Sequence, residues 1–430
     1  MRNLISQCTT SRSVADQIEN VEDLSFVEDP TNLDNLKILD AAKVRKFVEE
    51  VNAITPEEIA GRTLVLAIGT GGTIAMKEHE VVGADGQKRK IKKPSLDFED
   101  MFQKTESGLA DEFLMKGLDA LALDSSQMTY DHVHDLAIVK CYIEANINKK
   151  IAGFLIIHGT DTMAEASGHM AMMMGKKLRN PMVYTGAQAP IGKPRSDGGS
   201  NLRDALYTIK AMDADDKADV VISFGDGVVF AHGAQKRHNS NRNAFDSPLH
   251  ELAGDLSTPG KLVNLVQWVR SRVEEASKPN IYGGYSHLLE VHSKMSESPQ
   301  RVYDQIMHES VNGVILTTYG AGTADSEVVQ VAAKAIKRKG IPGFACNPAA
   351  LGAETEEKRK EQYESEAELE RLGFRTVQST TEIIRAKFEL AIRRFRGNIA
   401  EVVEFMHGTN YIGEIPTGQT KRRSPLLRTA

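Results

Sequence analysis

Short apolar runs that stop at turns rich in glycine and threonine dictate the architecture of this chain. Thr63 to Ile68 ends in Gly69-Thr70-Gly71-Gly72-Thr73, and Ile151 to Ile157 ends in His158-Gly159-Thr160-Asp161-Thr162. Pro181 to Thr185 leads into Gly186-Ala187-Gln188, and Val220 to Phe224 makes a fourth run. Helical patterns separate them, among them Met163 to Gly175 and Asn201 to Met212. Strands alternating with helices predict an α/β fold with a mainly parallel sheet covered on both faces. In such sheets ligands bind beyond the carboxyl ends of the strands, which is where the Gly and Thr residues collect.

A second series follows. Leu288 to His292, Val314 to Thr318 and Gly343 to Cys346 read as strands. Val328, Val331, Ala332 and Ala335 share one face of a helix over Glu327 to Lys339, with Gly340 as its stop. A last helix is expected to start at the capping box Ser379-x-x-Glu382 and to turn Ile384, Phe388, Ala391 and Phe395 inward. Before the first strand the chain is acidic and polar, with one amphipathic helix: Asp40 caps it, and Val44, Phe47, Val48 and Val51 follow helical spacing. That stripe must pack on something, so the segment is a clasp on the main body. The boundaries are residues 1–60 for the extension, 61–254 for a larger Rossmann-like α/β domain and 255–284 for a linker carrying Trp268. A smaller α/β domain over 285–415 and a basic tail over 416–430 complete the chain.

Composition narrows the class. The 430 residues hold 53 Lys+Arg against 59 Asp+Glu, a formal charge of −6, so no global field pulls the chain toward nucleic acid or anionic lipid. No apolar stretch approaches the roughly 18 to 20 residues that cross a bilayer. Met1 to Ser13 lacks an apolar stretch of the secretory kind, and Cys8, Cys141 and Cys346 are odd in number and unpaired by spacing. These features predict a cytoplasmic protein without a disulfide framework or zinc site.

Several motifs fail their tests. Gly69 to Thr73 is not G-x-G-x-x-G, because Ile74 takes the sixth place. Gly186 to Lys193 has one residue too many between its glycines, and Pro194 stands where a P-loop needs Ser or Thr. His132 and His134 would point to opposite sides of a helix over Met128 to Tyr142, which reads as a solvated face rather than a metal site. Lys88 to Lys93 reads as a solvated basic loop. What remains is hydroxyls at strand ends: Thr73, Thr160 beside Asp161, and Ser125 and Ser126 in Asp124-Ser125-Ser126-Gln127-Met128. Helix capping explains any one of them but not all three together. A threonine hydroxyl is a weak nucleophile that needs a base or a polarising neighbour, and glycines beside it let backbone N–H groups approach an oxyanion.

These residues resemble the bacterial-type asparaginase/glutaminase amidohydrolases. Gly69 to Ala75 is similar to the family's first signature and His158 to Met163 to its second, with Asp124 to Met128 similar to the substrate-binding segment between them. Thr185 to Gln188, Arg195 to Gly198, Asn201-Leu202, and Lys236 ahead of Phe245-Asp246-Ser247-Pro248 extend the likeness, which runs from about Thr63 to Arg394. The resemblance implies hydrolysis of L-asparagine to L-aspartate and ammonia through an acyl-enzyme, without metal or organic cofactor. Thr73 would be the primary nucleophile, and Thr160, Asp161 and Lys236 a second hydroxyl with its acid/base partners; which threonine is acylated stays open. Ser125, Ser126, Thr160 and Asp161 would bind substrate. The partners implied are a small amide substrate and further copies of the chain, as a homodimer or homotetramer.

The chain departs from the pattern at three places. Lys77 to Asp97 contains no Tyr where the family has a loop Tyr that supports the nucleophile, and Gln235 replaces a frequent Thr. Glu366 falls where some members place a partner-subunit carboxylate, in a stretch that reads equally as a solvated helix. Mixed glutaminase-asparaginase specificity is one alternative. The amidase subunit of an archaeal-type tRNA-dependent amidotransferase is another; its extension is strand-rich, whereas residues 1–60 read as helical. A binding module with a silenced site ranks last.

Overall fold

The computed structural model describes residues 25–82, 85, 87–94, 105, 108–191, 193–256, 264–265, 269–284, 287–293, 297–319, 323–347, 364–377 and 379–416. They divide into two compact units, one comprising Val27–Gly283 with the chain from Tyr411 on, the other comprising Gly284–Asn410 with Ser25 and Phe26.

In the first unit, eight strands form one sheet: β1 (Thr63–Gly71), β4 (Phe113–Leu123), β5 (Gly153–Ile157), β6 (Met182–Thr185), β7 (Val220–Phe224), β8 (Gly227–Phe230), β11 (Gly254–Asp255) and β12 (Asn264–Leu265). Between these in the sequence lie two short ladders, β2 (Met76–Val82) with β3 (Lys88–Pro94) and β9 (Gln235–Lys236) with β10 (Phe245–Asp246). The sheet order is β12-β11-β8-β7-β6-β5-β1-β4, parallel from β7 through to β4 and antiparallel beyond β7. β1 is therefore the switch point: the chain goes from β1 to β4 on one side, then crosses to β5 on the other. Helices α1 (Ala41–Asn52), α2 (Tyr130–Asn146), α3 (Met163–Met174) and α4 (Gly198–Ala214) complete the unit. β5, β6 and β7 are buried along their whole length, as strands covered on both faces must be.

Asp40 caps α1 by accepting from the Ala42 N–H, and Val44, Phe47, Val48 and Val51 are its buried stripe, as the spacing predicts. The helix packs on α2 and β4. Asp135 of α2, fully buried, accepts the backbone N–H groups of Lys37, Ile38 and Leu39 at 2.6 to 3.1 Å. Burial pushes its carboxyl up, but these bonds and one with His134 outweigh burial and hold it below the usual carboxylate range.

The second unit has a four-stranded all-parallel sheet in the order β13 (Leu288–His292), β14 (Gly313–Thr317), β15 (Gly343–Cys346), β16 (Arg375–Val377). Its helices are α5 (Pro299–Met307), α6 (Ser326–Lys339), α7 (Glu364–Arg371), α8 (Thr381–Arg394) and α9 (Ile399–Gly408). Gly340 stops α6 at φ +72°, as expected.

The structure corrects four sequence expectations. Thr380, not Ser379, is the N-cap of α8; it makes no side-chain cap bond, and Ser379 is buried. α8 is followed by α9, and Phe395, half-buried, is the C-cap of α8 rather than an inward-facing core residue. Lys88–Pro94 is not a loop but a strand, whose register sets Lys92 opposite Glu78 and Lys90 opposite Glu80. His134 is buried against Asp135, and the Nδ1 of His132 meets the Thr129 hydroxyl at 2.7 Å, so α2 does not present the pair to solvent. Cys8, Trp268 and most of the basic tail lie outside the described residues; Cys141 and Cys346 are free thiols whose pKa burial raises to about 11 and about 12.

Candidate active site

Three adjacent parallel strands, β4, β1 and β5, deliver their carboxyl ends to one place. β1 ends in the turn bearing Thr73, β4 in the turn Ser125–Gln127, and β5 in His158 to Thr162. Gly72, at φ +80°, is seated directly on Gly159: a Cβ there would overlap the Cα and N of Gly159. A Cβ on Gly159 would in turn overlap the Cβ and Oγ of Ser125. Glycine is required at both positions because three backbones meet where a methyl group has no room.

Hydrogen bonds finish the assembly. The Asp161 N–H donates to Ser125 Oγ at 3.3 Å, and Thr162 Oγ1 donates to the Ser125 carbonyl at 2.8 Å. Asp124 accepts from the backbone and hydroxyl of Ser126 at 3.0 and 2.9 Å. Lys236, on the short ladder of β9 with β10, donates from Nζ to Thr160 Oγ1 at 2.9 Å and to Asp161 Oδ1 at 2.6 Å. The Lys236 side chain is 15% exposed and that of Asp161 62%, so the pair opens to solvent on the Asp161 side. Thr160 and Ser125 are buried, and Thr73 is half-buried with no hydrogen-bond partner for its hydroxyl among the described residues.

The residues that support these turns were only partly legible in sequence. Asp197 accepts the N–H groups of Gln188 and Ala189 at 3.0 to 3.1 Å and the Asn201 amide at 3.2 Å, which fixes the turn after β6. His158 is fully buried; its Nδ1 meets the Gly159 carbonyl at 2.7 Å, and burial lowers its pKa to about 4 against the opposing effect of that bond. Nothing in the sequence marks it as a separate site residue, and its place in the His158-to-Thr162 turn was the available signal. Glu366 lies in α7, in the other unit, and its side chain is outside the described residues. Among the described residues no cluster of three or more His, Cys, Asp or Glu could hold a metal, and no helix is long and apolar enough to cross a membrane.

Hydroxyls, a carboxylate and an ammonium thus gather at the carboxyl ends of the strands beside a switch point. Residues 64–267 match the family model for Asparaginase, N-terminal. The chain is 30% identical over 227 residues to L-asparaginase from Dirofilaria immitis, covering 50% of this chain and 35% of that protein. It is 27% identical over 288 residues to a component of the glutamyl-tRNA(Gln) amidotransferase from Methanopyrus kandleri, covering 63% of this chain and 58% of that one. The matches thus span between about a third and somewhat over half of these relatives' length. The solved thermostable L-asparaginase from Thermococcus kodakarensis superposes with a TM-score of 0.63 at 23% identity, covering 84% of this chain and 100% of that chain; this likeness is one of fold.

Proposed function

We propose that the protein hydrolyses L-asparagine to L-aspartate and ammonia through a threonine ester. Thr73 Oγ1 attacks the side-chain amide carbon and passes its proton to the Thr160–Lys236–Asp161 group as the bond forms. The Thr160–Lys236–Asp161 group carries a proton to the departing nitrogen, so that ammonia leaves, and then activates the water that cleaves the ester. Ser125 and Ser126 hold the α-carboxylate, and Asp161, open to solvent, faces the α-ammonium. Further copies of the chain complete a homodimer or homotetramer. The observation that supports this reading is Lys236 bonded at once to Thr160 and Asp161, in a turn pressed through Gly159 onto the one that carries Thr73.

The test is ammonia release from asparagine and glutamine. Thr73→Ala should lower kcat by about a thousandfold or more with the fold intact. Retained activity in Thr73→Ala removes its assignment as nucleophile. Lys236→Met should cost about 10² to 10⁴ in kcat, the range for a lost proton-transfer group. Asparagine and glutamine differ by one methylene, so kcat/KM should separate them by about 10- to 200-fold if the pocket is apolar around that carbon.

A second reading, the amidase subunit of a tRNA-dependent amidotransferase, draws support from the longer match to the Methanopyrus protein. Against it, residues 27–60 contain helices and no strand among those described. Co-purification with a second protein and glutamyl-tRNA, together with poor hydrolysis of free asparagine, would favour that reading.

A further inference from the structure

The segment ahead of β1 grips both elements that flank the Asp124–Met128 turn. On the incoming side it holds β4, the edge strand of the sheet: Lys43 Nζ donates to the Asp119 carbonyl. On the outgoing side it holds α2 in its first two turns. Lys37 Nζ pairs with Asp131 Oδ1 at 2.7 Å, and the backbone of Lys37 to Leu39 closes on Asp135. Further along, the Asn52 amide donates to the Asn146 carbonyl at 3.0 Å and accepts from the Asn148 N–H at 2.8 Å, so the grip extends to the far end of α2. Val27 adds a backbone bond to Ile281 at 2.9 Å.

Between the two gripped elements lie only the residues of the turn. Its own bonds are short-range: Asp124 to Ser126, Gln127 N–H to the Asp124 carbonyl at 2.9 Å, and Met128 N–H to the Ser125 carbonyl at 3.0 Å. Among the described residues, its hydrogen bonds to the β5 turn run through Ser125. Apart from Ser125, a turn so held takes its position from the spacing of β4 and α2, and the segment ahead of β1 bonds to both. Misplacement by about 1 Å of a group that orients substrate is enough to change kcat/KM by up to about a hundredfold.

We infer that residues 27–55 act as a positioning clasp for the substrate turn, with Asp135 and the Lys37–Asp131 pair as its positioning residues. This rests on the proposed role of Ser125 and Ser126 in binding the substrate's α-carboxylate. Neither Asp135 nor Lys37 touches substrate; both act by fixing where α2 begins.

The test uses the full chain with Asp135→Asn, Lys37→Asp, Asp131→Lys and the Lys37→Asp/Asp131→Lys double variant. Asparagine KM should rise about tenfold in Asp135→Asn, a modest part of what misplacement can cost. The two single charge changes at the partly exposed pair should raise it about threefold. In each case kcat should stay within about a factor of two, because the groups that act on the amide carbon are untouched. The double variant restores the pair with its polarity reversed and should bring KM back toward wild type. Amide hydrogen exchange at Ser126 to Met128 should quicken in the single variants and recover in the double, a readout that needs no activity. Unchanged KM and unchanged exchange in an active protein overturn the clasp alone. Exchange that quickens equally throughout β5 to β7 overturns it too, by reducing the effect to general destabilisation. If the wild type hydrolyses no amide, the functional reading fails, and the exchange pattern alone decides the clasp.

Discussion

At the scale of single residues, the larger unit holds buried imidazoles that resist protonation. His158 is fully buried at the base of the Thr160 turn, and among the described residues its Nε2 has no partner. His250 packs edge-on against His232 with ring centroids 5.1 Å apart, and its Nε2 likewise lacks one. Burial lowers the pKa of His158 and of His250 from 6.5 to about 4. The unfolded chain therefore takes up protons near pH 6.5 that the folded protein refuses until near pH 4. Stability is full above that window and falls as pH drops through it, by up to about 3 kcal/mol for each imidazole. Urea titrations at pH 7, 6 and 5 should show this loss, and His250→Asn should flatten the slope by about one proton's worth. A pH-independent midpoint across this range would show that these imidazoles are not held neutral by burial.

At the scale of elements, the turns of the candidate site depend on backbones that touch. Gly72 and Gly61 have nearly the same dihedral, φ +80° and +82°, but nothing lies within 4 Å of a Cβ built on Gly61. The pair thus separates dihedral strain from overlap. Gly61→Ala should cost about 1 kcal/mol of stability at unchanged kcat/KM, while Gly72→Ala adds displacement of Gly159 and should lower kcat/KM by about a hundredfold. Thermal melts and ammonia release check both, and equal effects at the two positions would mean that the contact does not position the turns. Much of this scale was legible beforehand, for physical reasons. β5, β6 and β7 are fully buried, so their sequences are continuous apolar runs that admit few other readings. β4 was harder, because an edge strand with exposed Gly117 and half-buried Lys116, Asp119 and Ala120 breaks the run. The β2–β3 hairpin was hidden by charge: lysines set in register opposite glutamates make a strand that reads locally as a solvated loop. The hydroxyls of the site could be placed at strand ends from sequence, but their convergence could not. It comes from the sheet order, which puts β4 and β5 on either side of β1, and that order is set by long-range pairing that local pattern does not encode.

At the scale of the whole molecule, the chain leaves the larger unit after Gly283, builds the second unit, and returns at Tyr411. The return is anchored by several independent contacts within the larger unit. Tyr411 Oη accepts from the Asn280 amide at 3.0 Å, Ile412 is 2% exposed, and buried Glu414 accepts the N–H groups of Tyr411 and Ile412 at 3.1 and 2.8 Å. Gly413 lies against the ring of His232, three residues before Gln235 and four before Lys236. The larger unit is thus completed only when the last part of the chain is made, so its stability depends on residues remote in sequence from its sheet. Ile412→Ala removes a buried branched side chain and should cost that unit about 2 to 4 kcal/mol. Because each unit has its own core, a single unfolding curve would mix them, and native-state hydrogen exchange at β5, β6 and β7 is the appropriate measure. Exchange there should quicken by about 30- to 1,000-fold, as that loss of stability dictates, if the strand amides open by global unfolding of the unit. If they keep their protection in Ile412→Ala, the returning segment is an attachment laid on a unit already complete without it.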